Sequence, residues 1–367
     1  MLSGRVVVPG LLRGSGMTKS ACSLEASARR SFAAASASLL QRGGGQPPRG
    51  GGRPLPPQQQ RQAPPPPSRQ QQQQQQGGED APAPEENAPP PPPPTKPEEP
   101  PKFLKVTQLA TNKKVAVVQL NRAPVNSLNL ETLAELNQWL MWLSYTEETD
   151  GIILGSNLPM VYSAGLDINE LSNPKPDRFA AFWGAFQETW SILNSFPKPI
   201  VAAINGNSPA GGCILAICCD YRVMARCPNG QPTKPYRIGL NESKIGMIAP
   251  PWVMNTFSYV VGNRKAERML QLGETPTADE ALTIGLVDQV VAEEEVMSVA
   301  TKELEKFMAI PASARWMTRD MMRRDLVQFM STEEEREYDV NFFGNLLQNP
   351  EVQSNIAKYM ARLSGKK

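Results

Sequence analysis

The chain has 367 residues, with 38 Lys and Arg against 36 Asp and Glu, five Cys, no His and a formal net charge of +2. The lack of histidine excludes Ser-His and Cys-His nucleophilic pairs, histidine metal sites and imidazole acid–base work, so proton chemistry must fall to a carboxylate, lysine, tyrosine or cysteine. The balanced charge gives no basic face by composition for nucleic acid, and no apolar run is long enough to cross a membrane as a helix.

Residues 1–45 carry Arg5, Arg13, Lys19, Arg29, Arg30 and Arg42 against one acid, Glu25, with abundant Ser and Ala between them. That is the pattern of a mitochondrial transit peptide, with Arg29-Arg30-Ser31-Phe32 as a processing neighbourhood; the alternative is a merely basic tail. Residues 46–100 hold most of the prolines, a glutamine tract (Gln70–Gln76) and a proline tract (Pro89–Pro94). They offer almost nothing apolar to offset their ordering entropy, so disorder or partial polyproline II is expected there. The expected folded unit is Phe103–Lys367, long enough for one substantial core. Cys22, Cys213, Cys218, Cys219 and Cys227 are odd in number and lack CxxC spacing. They read as small buried hydrophobes in a reducing compartment, not as a disulfide frame. The end of the chain, Ser364-Gly365-Lys366-Lys367, is not a peroxisomal signal.

Within the folded unit, Val115–Leu120 is short, β-branched and apolar, which predicts a strand. Leu130–Leu143 has Leu and Trp at helical spacing, and Gly151–Gly155 reads as a second, buried strand. Phe179, Phe182, Trp183, Phe186 and Trp190 form a helical stripe over Phe179–Leu193, expected in the core. Pro199–Ile204 is the third strand; a helix over Gly211–Cys219 leads into a fourth, Tyr221–Ala225, and Tyr236–Leu240 is read as a fifth. Strands alternating with helices imply a parallel or mixed sheet with helices packed against it. From Pro251 the pattern is mostly helical: Arg264–Leu272 and Glu293–Ala309 are amphipathic, and Pro276–Glu280 opens another helix. Gly285–Val291 is read as one more short strand, and Pro311 starts a final helical region with Met317, Met321, Met322 and Leu326. Methionines at that spacing read as core or subunit interface.

Three segments carry the candidate chemistry. In Tyr162–Leu171 a turn of small residues, Ser163-Ala164-Gly165, leads into Leu166-Asp167 and a helix start, where backbone N–H groups are exposed. In Ala203–Asp220 an apolar strand breaks at Asn205-Gly206, and Ala210-Gly211-Gly212 opens a wholly apolar helix. Such an N-terminus can hold an anion, and glycine lets a ligand approach the backbone; the alternative is a turn that merely packs strand against helix. In Ile238–Pro250, Glu242 follows a strand and precedes a loop with Gly and Pro. Two backbone donors from separate turns can converge on one carbonyl oxygen, forming an oxyanion hole for the enolate left when a proton is lost beside a thioester. A carboxylate flanked by Ile238, Leu240, Ile245 and Met247 is expected to have a raised pKa and to suit taking that proton. The other reading of Glu242 is an ordinary surface glutamate.

Together these segments resemble the crotonase (enoyl-CoA hydratase/isomerase) superfamily over Phe103–Lys367. SAGLDINEL is similar to its A-G-x-D-I block, and AINGNSPAGGCILAICCDYRVMA to its second block. PVNSL at Pro124–Leu128, SPAGG, GLNE at Gly239–Glu242 and MIAPPW at Met247–Trp252 resemble its mitochondrial Δ3,Δ2-enoyl-CoA isomerase branch. The resemblance implies an α/β fold, a crotonase (ClpP/crotonase-like) spiral of ββα units over 103–300, with a C-terminal helical trimerisation region over 301–367. It implies oxyanion donors at the N–H groups of Leu166 and Gly211, a base at Glu242, and a substrate contact at Asn241. Backbone from Ala164 through Gly165, Leu166 and Asp167 to Ile168 matches the loop that receives CoA. Ile214 stands where hydratases carry a second glutamate. Water addition needs two groups, whereas an isomerase needs only one base, so the apolar Ile214 argues for a proton shuttle in a dry pocket.

The implied activity is conversion of 3-enoyl-CoA, cis or trans, to trans-2-enoyl-CoA in β-oxidation, in the mitochondrial matrix. It implies a homotrimer acting on a small acyl-CoA, with no metal and no cofactor beyond the CoA of the substrate. Two rivals stay open. One is another crotonase-type enzyme such as an enoyl-CoA hydratase, which Ile214 opposes. The other is a non-catalytic scaffold with a functional Gln/Pro-rich tail, which Glu242 opposes.

Overall fold

The computed structural model of the chain describes residues 94–365. The expected transit peptide over 1–45, Cys22, the glutamine tract, nearly all of the 46–100 linker and the final two lysines lie outside the described residues.

Two strands fall on the predicted bounds, Val115–Leu120 (β2) and Tyr221–Ala225 (β7). Gly151–Ser156 (β3) and Ile200–Ile204 (β5) match within a residue and are buried throughout. Their residues are apolar on both faces, as expected of strands covered on both sides. Leu104–Gln108 (β1) was not anticipated: Leu104 is buried and Val106 half-buried against the core, so the alternating apolar signal is only two residues long. With Gln289–Val291 (β9) these make a six-stranded sheet in the order β1-β2-β3-β5-β7-β9, antiparallel at β1 and parallel elsewhere.

A second, three-stranded parallel sheet is built from Met160–Val161 (β4), Gly206–Pro209 (β6) and Ile238–Gly239 (β8). Three successive passes of the chain lay one strand in the large sheet and the next in the small one: β3 then β4, β5 then β6, β7 then β8. This is the spiral of repeated strand–strand–helix units expected from the sequence. The small strands are too short and too mixed in polarity to be read from sequence; β8 covers two residues of the predicted Tyr236–Leu240. β9 is likewise shorter than Gly285–Val291, because Gly285, in the left-handed region at φ 80°, closes the preceding helix.

The helices are Leu130–Tyr145 (α1), Ile168–Leu171 (α2), Pro176–Ser195 (α3), Gly211–Ile217 (α4), Pro251–Val261 (α5), Asn263–Leu272 (α6) and Ala278–Ile284 (α7). Val296–Met308 (α8), Ala312–Val327 (α9), Glu333–Leu347 (α10) and Pro350–Leu363 (α11) follow. The stripe on α3 is core as predicted: Phe179, Phe182, Trp183, Phe186 and Trp190 are all buried. Trp183 stacks on Phe179 at 5.3 Å and on Phe343 of α10 at 4.6 Å between ring centroids, and Trp190 packs on Trp252 of α5 at 5.2 Å. Asp339 of α10 ties these layers together by accepting from Trp183 Nε1 at 2.7 Å, Gln187 Nε2 at 2.9 Å and Trp252 Nε1 at 3.1 Å.

Helix α9 is held by its arginines. Arg319 Nε pairs with Asp220 Oδ1 at 2.5 Å, and its Nη1 donates to Asn194 O at 2.6 Å. Arg323 Nη1 donates to Cys218 O at 2.6 Å and Nη2 to Cys219 O at 3.1 Å. These guanidiniums cap the C-terminal ends of α3 and α4, where unpaired carbonyls and the negative dipole end favour a cation. Leu326 faces inward, but Met317, Met321 and Met322 are 53%, 64% and 62% exposed, so they are not core. Cys213, Cys218 and Cys219 are buried free thiols, as read from the sequence, and Cys227 is half-buried.

Candidate active site

The first site segment runs from the end of β4 into α2. Gly165 sits at φ 92°, a left-handed conformation that glycine adopts without strain. Ala164 N–H donates to Val125 O at 2.9 Å, Gly165 N–H to Ser163 Oγ at 3.1 Å and Asp167 N–H to Leu128 O at 2.9 Å. Leu128 N–H returns a bond to Gly165 O at 2.8 Å. Between these pinned groups, the N–H of Leu166 has no acceptor among the described residues. Asp167 caps α2, its Oδ1 accepting from Asn169 N–H at 3.1 Å and Asn169 Nδ2 at 2.8 Å. Its Oδ2 pairs with Arg122 Nη1 at 2.8 Å. Burial opposes the charge of Asp167, but the bonds from Asn169 and Arg122 outweigh it and hold the carboxyl below its ordinary range. With both oxygens committed, Asp167 and its neighbours from Ala164 to Ile168 offer a ligand mainly backbone.

The second segment is the start of α4. Ala210 lies at φ 49°, a conformation rare for a residue with a side chain, fixed by its N–H donating to Gly239 O at 2.8 Å. This turn brings Gly211 against the first segment. A Cβ on Gly211 would lie 3.0 Å from Leu166 N, and a Cβ on Gly165 would lie 2.9 Å from Gly211 N. Gly211 N–H, like Leu166 N–H, has no acceptor among the described residues. Two uncommitted amide donors from separate turns are thus neighbours, and only glycine permits the approach. Ile214, one turn into α4, is buried.

The third segment follows β8. The β6–β8 register pairs Pro209 with Gly239, which carries the chain after β8 past the start of α4. Glu242 opens the 3-10 turn Glu242–Ile245, preceded by the half-buried Asn241, whose carbonyl accepts from Lys244 N–H at 3.0 Å. Ile238, Leu240 and Met247 around it are buried and Ile245 is half-buried. Glu242 keeps part of its own surface open, yet its carboxyl is closely ringed by protein. Burial pushes its pKa up to about 7, opposed by its own backbone N–H. Burial raises the pKa of the Cys213 thiol in the first turn of α4, and the charge of Glu242 adds to it, so the carboxylate lies near that helix start.

A carboxyl poised near neutrality beside two free N–H donors can take a proton from carbon next to a carbonyl while the donors hold the developing oxyanion. The structure brings Leu166 and Gly211 together directly, and Glu242 and Asn241 to the same end of α4. The sequence reading missed Arg122, Asn126 and Ser127, which fasten the first segment. The PVNSL block at Pro124–Leu128 signals Asn126 and Ser127, and Arg122 just before it had no signal. An open groove of about 1050 Å³, lined by Arg237, Lys244, Arg268 and Glu274 among others, includes none of the predicted site residues.

Comparison with known proteins gives a consistent picture. The profile of the enoyl-CoA hydratase/isomerase family matches residues 110–366. The chain is 42% identical over 253 residues to mitochondrial enoyl-CoA delta isomerase 1 of Mus musculus, covering 69% of this chain and 85% of that one. It is also 42% identical over 253 residues to the Homo sapiens protein of the same name, covering 69% of this chain and 81% of that one. The crystal structure of human mitochondrial delta3-delta2-enoyl-CoA isomerase superposes with a TM-score of 0.68 at 40% identity, covering 72% of this chain and all of that one.

Proposed function

The chain belongs to the enoyl-CoA hydratase/isomerase family, and from that premise we propose that it is a Δ3,Δ2-enoyl-CoA isomerase of the mitochondrial matrix, acting in fatty-acid β-oxidation. The observation that carries the mechanism is the pair of adjacent free N–H groups at Leu166 and Gly211, with Glu242, whose pKa burial raises to about 7, close enough to the first turn of α4 to act on Cys213.

The acyl thioester binds with its carbonyl oxygen on these two N–H groups. Glu242 removes a proton from C2, and the electron pair moves onto the carbonyl oxygen, giving a dienolate that the donors stabilise. The same carboxyl returns the proton at C4, the double bond moves from C3–C4 to C2–C3, and Glu242 is again ionised. One base therefore serves both transfers. Ile214 offers no second acid or base to activate water, which favours proton return over hydration. Asn241 and backbone from Ala164 to Ile168 serve substrate binding. CoA enters as part of the substrate, and the cycle calls for no separate cofactor.

We propose the folded unit as Phe103–Lys367, behind a transit peptide and a Gln/Pro-rich linker. Trp316, Met317, Met321 and Met322 of α9 are exposed apolar side chains, which supports a role for this helix in self-association; the homotrimer itself rests on the family resemblance. Among the described residues, no helix is long and apolar enough to cross a membrane.

The test is an assay of the purified full chain with 3-hexenoyl-CoA and 2-hexenoyl-CoA, following isomerisation and hydration together. Saturable formation of trans-2-hexenoyl-CoA with little hydration is expected. Hydration without isomerisation, or neither, overturns the reading.

A further inference from the structure

The N–H of Leu166 works only if the loop around it is rigid, and the structure shows what holds it. Asn126, buried to 1% exposure, donates through Nδ2 to Ser156 Oγ at 2.8 Å and to Tyr162 O at 3.0 Å. Its backbone carbonyl accepts from Ser163 Oγ at 2.7 Å, and its Oδ1 accepts from Arg122 N–H at 2.8 Å. Arg122 then crosses to the far side of the donor. Its Nη1 reaches Asp167 Oδ2 at 2.8 Å, Ser127 O at 2.9 Å and the Ser127 hydroxyl, which itself donates to Asp167 Oδ2 at 3.2 Å. The Arg122 side chain is 26% exposed and that of Asp167 only 8%.

Asp167 presents a difficulty that Arg122 resolves. It is the residue directly after the donor, and negative charge develops at that donor during the reaction. An unpaired, nearly buried carboxylate there would oppose the enolate through a low-dielectric medium. It would also leave its own desolvation uncompensated, and the loop would move to relieve it.

We propose that Arg122 is a positioning residue for isomerisation: by pairing with Asp167 it fixes the Leu166 N–H and cancels the carboxylate beside the oxyanion. The inference rests on the isomerase reading above, with the oxyanion at Leu166. Arg122 touches no reacting atom; it acts through Asp167.

The test uses the full chain with the substitutions Arg122→Gln, Asp167→Asn, the double variant and Arg122→Lys. Displacing a catalytic contact by even an ångström is costly, so Arg122→Gln is expected to lower kcat by roughly 10- to 100-fold. A thioether analogue of the substrate has no carbonyl oxygen, so its affinity should fall by clearly less than kcat does, separating loss of the donor from loosened CoA binding by the same loop. Adding Asp167→Asn to Arg122→Gln should restore part of kcat, because the orphaned charge is gone and Oδ1 still caps α2. Arg122→Lys keeps a point charge but not the planar geometry by which Nη1 meets Asp167 and Ser127 together, and should fall between wild type and Arg122→Gln. If Arg122→Gln does not fold, Arg122→Lys and the double variant carry the same comparison. An unchanged kcat overturns the inference, as does a parallel loss of thioether affinity, or effects in the double variant that simply multiply. An inactive wild type would instead overturn the isomerase reading, so the two failures are distinct.

Discussion

Glu242→Gln tests both the chemistry and the electrostatics of the base. Burial lifts the Glu242 carboxyl from its ordinary 4.5 to about 7. At about 1.36 kcal/mol per pH unit, that rise is worth roughly 3 kcal/mol against the charged form in the folded chain. Between pH 4.5 and about 7 the folded chain binds this proton more tightly than the unfolded chain does. The contribution to stability is therefore fully present below 4.5 and is lost as pH rises through about 7. Glutamine is nearly isosteric and has no proton to lose. Relative to wild type, Glu242→Gln should thus gain stability by roughly 2–3 kcal/mol between pH 5 and 8, read by urea unfolding with tryptophan fluorescence at each pH. Turnover should move the other way. Wild-type kcat/KM should rise through pH 7, with about a tenth of the carboxyl ionised at pH 6, while the variant loses at least ~10²–10⁴-fold at every pH. In deuterated solvent the variant should also stop exchanging the C2 proton. A stability difference independent of pH, a flat wild-type profile from pH 6 to 8, or a variant that isomerises at a comparable rate would each refute the single-base argument.

Gly211→Val should remain folded but lose ~100-fold or more in turnover, because its Cβ alone would press to 3.0 Å from Leu166 N; near-normal turnover would remove Gly211 from the mechanism. Ile214→Glu puts an unpaired carboxylate at a buried position and should destabilise the chain by about 3 kcal/mol or more in urea unfolding, with at most a trace of hydration gained. Paired Met321→Glu and Met322→Glu substitutions on the exposed face of α9 should leave the fold intact and dissociate the assembly, seen as a fall in mass by light scattering. Deleting residues 1–100 should leave the melting temperature and turnover nearly unchanged, since the segment is low in apolar residues; loss of folding would move the domain boundary.

What could be read from the chain follows from how local each signal is. β2, β7 and the α3 stripe repeat their pattern over five or more residues, and burial enforced that pattern, so both strands' bounds and the α3 core face were legible, while the α3 ends, Pro176 and Ser195, lay beyond the stripe. β4 and β8 are two residues each, held by pairing with a strand distant in sequence, and no local period exists to find. The amphipathic run Glu293–Ala309 splits into a 3-10 turn, Glu293–Glu295, where the Glu295 side chain accepts from Ala292 N–H at 3.2 Å, and α8. At the site, the glycines and Glu242 were visible because residue type alone limits what they can do. Glycine at 165 and 211 permits a close approach, and a carboxylate among apolar neighbours resists ionisation. Their convergence was implied by the family resemblance and not by any local pattern, because it depends on Ala210 at φ 49°, whose N–H donates to the distant Gly239 O at 2.8 Å. Arg122 was hidden for the same reason: an arginine in a loop is ordinarily a surface charge, and only the fold carries Asp167, forty-five residues later, to within 2.8 Å of it. The residues that react could be guessed from their chemistry, but those that hold them in place are defined by contacts between distant parts of the chain, so the supporting loop at 122–128 is where substitution should separate catalysis from binding.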